Sequence, residues 1–321
     1  MQQYIMRRVI LGCLTGVLVS LLIFAILRIA PGDVAMMIAM SQSGGDEVEI
    51  SEEQLEELRE QLGLNVPLPN QYWNWISAWV TGDWGVSLFR QHNVFNEFKR
   101  KIWVTVELVV IAQTFAVCLG IPAGIIMALR RDTWIDYTVR IVSLAGLSMP
   151  SFWTATLLLV AGMYLFDWNP RLQYVPITED PMSNLSQFIW PAIMLGYVSA
   201  ATKSRMMRST MLEVLRQDYI RTAHAKGLRA AVVTYRHALK NAFIPVITVI
   251  GITVALSLGG SVIIERIFSL PGMGNFLVEG MNQRDYPVVQ SLVLFFSMWV
   301  VIINLVVDLT YGWLDPRIRL E

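Results

Sequence analysis

Runs of about 20 apolar residues recur along this chain of 321, the length an α-helix needs to cross about 30 Å of hydrocarbon. A chain built this way has few folds open to it. Lipid offers no partners for backbone N–H and C=O groups, so only helices or closed barrels satisfy them internally. Six spans are predicted, at 9–30, 103–129, 141–166, 188–201, 243–264 and 288–310. The fourth is short and contains Pro191 and Gly196, so it is expected to extend back to Asn184 or forward into the polar loop behind it. The fold class is therefore all-α integral membrane, with six transmembrane helices. A composition of 55% hydrophobic and 16% charged residues excludes an ordinary soluble domain.

Arg7 and Arg8 precede the first run, as in a secretory signal. The run is longer than a signal's apolar region, and no small-x-small cleavage site follows it, so it reads as a retained span. Orientation comes from the basic residues. With the N-terminus inside, the cytoplasmic pieces hold 16 of the 25 Lys and Arg, nine of them in 202–242. Only Lys99, Arg100 and Lys101 argue the other way. The positive-inside rule then places both termini in the cytoplasm. Two parts follow: 1–100, an N-terminal span with a helical extracytoplasmic segment, and 101–321, a five-span core with the cytoplasmic loop 202–242.

In the extracytoplasmic segment, Ser51 to Gln54 form a capping box, with Leu55, Leu58 and Leu62 at helical spacing and Gly63 as a stop. The other face of that helix is acidic and reads as solvated. Tyr72 and four of the chain's eleven tryptophans, Trp73, Trp75, Trp79 and Trp84, then crowd together. Indoles favour the headgroup layer, so a helix along the outer membrane surface is expected.

Chemistry is sparse. No Gly-rich phosphate loop ending in Lys-Ser/Thr occurs. The three histidines have no acidic or cysteine partners at ligand spacing, and no catalytic or metal residue is assigned. Cys13 and Cys118 read as buried small hydrophobes. Ionisable residues within spans are Arg28, Glu107, Asp167 and Asp308, all near helix ends. Glu107 is the deepest and is the candidate for the translocation path. An ion-coupled secondary transporter would need midplane acids and repeats, and neither is seen.

That leaves the basic stretch from Arg205 to Lys240. Leu212, Leu215, Tyr219 and Ala223 fall on one helical stripe, Gly227 is placed for a left-handed cap, and 230–241 forms a second helix. The product is a rigid helix–Gly–helix elbow. Anchoring at anionic headgroups and docking of a soluble partner are equally open from the residues alone. Nucleic acid is a poor fit, because no aromatic surface interleaves with the charges.

Arg221-Thr222-Ala223-His224-Ala225-Lys226-Gly227, followed by His237-Ala238-Leu239-Lys240, resembles the cytoplasmic loop of permease subunits of binding-protein-dependent ABC importers. The general motif is E-A-A-x-x-x-G; Arg221 and Thr222 stand where it has Glu and Ala. These departures resemble the R-T-A-x-A-K-G version of the dipeptide and oligopeptide branch. Further motifs agree in order: Met6-Arg7-Arg8 with Ile29 to Asp33, Gly82 to Ser87, Glu265 to Gly274, Arg284 to Pro287, and Asp308 to Tyr311 with Leu314 to Arg319, the last similar to the B-type permease. The resemblance implies a type I importer permease of di- or oligopeptides in a prokaryotic inner membrane. Nickel chelates, glutathione, opines or oligosaccharides are the alternative cargoes. It implies a heterodimer with a second homologous permease, two ATPase subunits that hold ATP and Mg²⁺, and an extracytoplasmic binding protein. This chain itself would bind no cofactor. Tyr219, Arg221, Thr222, Ala223, Lys226 and Gly227, within the 216–229 loop, would form the ATPase-coupling loop.

Overall fold

The computed structural model describes residues 2–29, 36, 52–61, 65–167 and 173–314. Helices account for every regular element among them, apart from one isolated bridge between Val86 and Asn93. In chain order they are α1 (Gln2–Ile29), α2 (Glu52–Gln61), α3 (Leu68–Thr81), α4 (Val94–Leu129), α5 (Trp134–Ser148), α6 (Ser151–Phe166), α7 (Pro181–Val214), α8 (Asp218–Ala225), α9 (Ala230–Val232), a π turn (Val233–Ala238), α10 (Leu239–Ile267), α11 (Met273–Gln283) and α12 (Tyr286–Leu314).

Four stretches are long and apolar enough to cross a membrane: Ile5–Ile26, Val94–Leu129, Ala230–Ile267 and Tyr286–Thr310. α5 and α6 make a fifth when taken together, bent by 103° at their junction. The bend has a plain cause. Met149 is extended, as a residue before proline is forced to be, and Pro150 caps α6 without an N–H to continue the ladder. The weak fourth span extends in both directions, as α7, and begins at Pro181 with the Asp180 side chain accepting from the backbone N–H groups of Met182 and Ser183.

α7 runs beside α4 in the most extensive contact of the bundle. Both helices carry small residues every fourth position: Ala112, Ala116, Gly120, Gly124 and Ala128 on α4, and Ala192, Gly196, Ala200 and Ser204 on α7, all buried. Where lipid cannot drive helices together by hydrophobicity, such stripes let backbones approach closely enough for packing to do it. Toward the C-terminal end of α7, buried Asp136 of α5 accepts both prongs of the Arg208 guanidinium, at 2.9 and 2.8 Å, and Arg140 at 2.7 Å.

α1 packs on α12, where Arg8 pairs with Asp308 at 3.0 Å. The basic start and the acidic end of the two terminal spans are thus partners. Asp167 is exposed and caps α6 in a left-handed conformation, and the Arg28 guanidinium lies 5.3 Å from the centre of the Phe24 ring.

Several expectations need correction. The stripe from Leu212 to Ala223 is not one helix, because α7 stops at Val214 and α8 starts at Asp218. Tyr219 is 43% exposed, and Ile220, one position along, is the residue that packs inward. The second arm of the elbow is no separate helix ending at Asn241; it continues through the π turn into α10, with Pro245 inside. Cys13 and Cys118 are exposed on helix faces, not buried. Of the four indoles, Trp73 is 69% exposed, but Trp84 is buried and stacks on Trp79 at 5.3 Å within a core of Val94, Phe98, Phe276 and Leu292. Ser51, Gly63, the Ala30–Asp33 part of the first motif and the 315–319 part of the last lie outside the described residues.

Candidate functional site

The elbow is built from its buried side outward. Ile220 and Ala223 of α8 turn into an apolar cluster with Ile125 and Ala128 of α4, Met207 and Met211 of α7, Val233 and Ala238 of the π turn, and Ala242 and Val246 of α10. Short α8 therefore sits on the joined ends of three long helices. Eight residues are too few for a stable isolated helix, so this docking is what holds it in shape.

Its end is closed by a two-bond cap. Gly227 N–H donates to His224 O at 2.9 Å and Leu228 N–H to Ala223 O at 3.4 Å, with Gly227 at φ +75°. A left-handed residue at this point satisfies carbonyls that the helix leaves open, and glycine takes that conformation without a Cβ penalty. Among the described residues nothing lies within 4 Å of where a Gly227 Cβ would be. The predicted residues divide accordingly. Ala223 is buried, while Tyr219, Arg221, Thr222, Lys226 and Gly227 share an exposed surface with His224. Arg221 reaches back to Asp218 at 3.2 Å in an exposed pair, an interaction worth little in water and easily exchanged for another anion. The Tyr219 hydroxyl accepts from Asn241 Nδ2 at 2.8 Å, tying α8 to α10 across the bend.

Glu107 lies apart from this surface, half-buried on α4 toward the other end of the bundle. One of its oxygens accepts from the Tyr174 hydroxyl at 3.2 Å; the other is buried with no partner. Burial, and then the charge of Glu107, push the Tyr174 hydroxyl up to about 12, so it remains a donor at neutral pH. Glu107 and the loop are not brought together. An open groove of about 430 Å³ between α4, α10 and α12 is lined by Val110, Gln113, Cys118, Leu258 and Trp299 and is almost wholly apolar.

On the end away from the elbow, two sequence motifs prove to be one another's partners. Ser87 donates to Asp285 at 2.5 Å and Leu88 N–H at 3.4 Å, while Arg90 pairs with Glu279 at 3.1 Å. Within the third motif, Glu265 is fully buried, accepting from Thr105 Oγ1 at 2.7 Å and Asn275 N–H at 3.1 Å. That places a carboxylate at the start of α11, where the helix dipole favours negative charge. A Cβ at Gly272 or Gly274 would fall 2.4 or 2.9 Å from a Glu265 oxygen, which is why the Gly-Met-Gly run is small on both sides.

Four buried ionisable residues escaped the sequence reading: Asp136, Lys203, Glu265 and Asp285. Lys203 contradicts the statement that no such group lies deep in a span. It had been counted among the cytoplasmic cations, yet it is fully buried. Removing it lowers the inside total from sixteen to fifteen and leaves the charge bias standing. The signal that would have found it is the small-residue stripe of α7, which continues to Ser204 and so carries close packing past position 203.

Long apolar helices closed at one end by a short, glycine-capped polar helix define a multi-pass inner-membrane transport component. The chain belongs to the family of binding-protein-dependent transport system inner membrane components, matched over residues 120–320, with that family's N-terminal domain matched over 1–109. It is 38% identical to the dipeptide transport system permease protein DppB of Alkalihalophilus pseudofirmus, over 99% of this chain and 100% of that protein. It is 40% identical to DppB of Escherichia coli K12, over 99% of each chain. To the glutathione transport system permease protein GsiC of the same organism it is 35% identical, again over 99% of each. A crystal structure of an amino acid ABC transporter shares the fold, at a TM-score of 0.52 and 15% identity over 68% of this chain and 94% of that one. The chain is thus an ABC-importer permease subunit, as its loop motif implies, and a pathway component, not a catalytic one.

Proposed function

We propose that this chain carries di- and oligopeptides across the inner membrane, driven by ATP hydrolysed on separate subunits. Its near-full-length similarity to dipeptide permeases supports the cargo; similarity to a glutathione permease keeps that short peptide within the same reading. The exposed face of α8 is the coupling surface. Arg221, Thr222, Lys226 and Gly227 would enter a cleft on one of two ATPase subunits, which hold ATP and Mg²⁺. A second, homologous permease would complete the pathway, α7 would serve as the sixth span, and an extracytoplasmic binding protein would deliver cargo. Glu107 is kept as a path residue. ATP must favour one state of the permease over the other; binding both equally would move nothing.

The test is reconstitution. Purified alone in liposomes, the chain is expected to take up no labelled dialanine; with the second permease, ATPases, binding protein and ATP it should. Uptake by the single chain would overturn the reading. Sidedness is tested separately with single cysteines. Exposed Tyr235 and Glu179 sit on opposite ends of the bundle. A cysteine at Glu179 should label from outside and one at Tyr235 only from inside; the reverse pattern would invert the proposed orientation.

A further inference from the structure

Lys203 has no exposed surface, and its ammonium sits where three helices meet. Nζ donates to Gln113 Oε1 of α4 at 2.8 Å, to Ser199 Oγ of its own helix at 2.5 Å, and to Thr253 Oγ1 of α10 at 2.7 Å. Depth follows from helix geometry. Thr253 is the central residue of α10, about 21 Å from either end at 1.5 Å per residue, so the group meets α10 near the middle of that helix. Among the described residues no carboxylate pairs with it.

Hydrogen-bond accounting fixes its state. The Ser199 hydroxyl donates to Gln113 Oε1 at 3.1 Å, the Thr253 hydroxyl donates to Ile250 O at 2.9 Å, and Gln113 Oε1 has no hydrogen to give. Three acceptors thus face Nζ, and an ammonium has three N–H donors. All three are used, so none is left for a cargo carboxylate. The network runs on: Gln113 Nε2 donates to Ser257 Oγ at 2.5 Å and to Thr253 O at 3.4 Å, and Ser257 donates to Thr253 O at 2.6 Å.

Burying a charge without a counter-ion is costly, and a well-packed apolar side chain would often fill such a space at lower cost. The three helices that Lys203 joins are those on which α8 is seated: α4, α7 and α10 all contribute to the apolar cluster under the elbow. α7 enters the elbow and α10 leaves it. The α4–α7 seam is locked by backbone contact at its small residues, whereas α10 packs on α7 through side chains, Ala242 and Val246 against Met207 and Met211 among them.

We propose that Lys203 is a positioning residue that ties α10 to the α4–α7 pair midway along α10, so that displacement of α8 moves all three as one lever. This rests on the permease reading above.

The experiment uses the whole importer in liposomes, measuring dialanine uptake and ATP hydrolysis together. Lys203→Met keeps the volume and removes the donors. ATP consumed per dipeptide imported should rise roughly 2- to 30-fold, the range found when residues of a coupling network are altered, at unchanged complex assembly and melting temperature. Thr253→Val, which removes one acceptor, should move the ratio the same way by less, and the double variant should be no worse than Lys203→Met. A purely structural role would lower assembly or melting temperature and leave the ratio of the assembled complex unchanged. An unchanged ratio in assembled Lys203→Met overturns the inference, as does an unchanged ratio in Thr253→Val where Lys203→Met fails to assemble. Absence of dialanine uptake by the wild-type importer would instead overturn the peptide-cargo reading, on which this assay rests.

Discussion

Replacing Gly227 with proline is expected to leave the membrane helices inserted and ATP hydrolysis running while import falls on the order of tenfold, the scale of a lost coupling energy of about 1.4 kcal/mol. Proline holds φ near −65° and has no N–H, whereas Gly227 sits at φ +75° and donates to His224 O. Both features of the cap are lost at once, and α8 can no longer present Arg221, Thr222 and Lys226 on a fixed surface. Alanine and tryptophan at the same position separate local strain from partner contact. Either pays about 1–2 kcal/mol for the left-handed backbone, and among the described residues nothing lies within 4 Å of the Cβ of either. In the isolated chain the two should therefore melt alike. In the assembled importer, tryptophan should impair import far more than alanine does, because the space beside Gly227 would be filled by an ATPase. Equal import by the two would argue against a docked partner there, and normal import by the proline variant would remove the elbow from the mechanism.

A second large effect is expected in the α4–α7 seam. An exposed helical glycine replaced by alanine normally gains stability by up to about 1 kcal/mol, and Gly259, whose Cβ would meet nothing within 4 Å, should behave so. At Gly120 and Gly196 the sign reverses. A Cβ there would lie 2.6 Å from Ala200 O and 2.5 Å from Ala112 O, backbone atoms that move only if the helices part. Alanine at either site should cost roughly 1–3 kcal/mol, as overpacking of a dense core does, and valine should abolish recoverable folded protein. Thermal melting and monodispersity in detergent, with Gly259→Ala as the reference, read the difference. Variants at Gly120 and Gly196 as stable as the reference would mean the seam is looser than drawn.

The elbow was legible in the chain because its logic is local. A polar helix, a glycine at its end and a dense run of cations are all marked by spacing of a few residues, and the cap forms as those residues imply. What failed nearby failed for a tertiary reason. Periodicity cannot tell a stripe that faces a neighbour from one that faces water, so Tyr219 was taken for the packed residue when Ile220 is the one covered by Met207 and Met211. Lys203 was missed by the same blindness. Hydropathy averages along a helix and assigns a charged end to the aqueous phase, but burial depends on which side the residue faces, and α4 covers that side.

Apolar run lengths determined, with no coordinates, that this chain is a multi-helix membrane protein, a property of composition along one dimension set by the thickness and chemistry of the membrane; the importer class came from the resemblance of its motifs to a known family. Only the tertiary structure decided which distant residues meet. Ser87 finds Asp285, Arg8 finds Asp308, Arg208 finds Asp136, and Lys203 finds Gln113 and Thr253. Such pairings arise from the angle and depth at which helices pack. These are fixed by contacts tens to hundreds of residues apart in sequence, which no local pattern records.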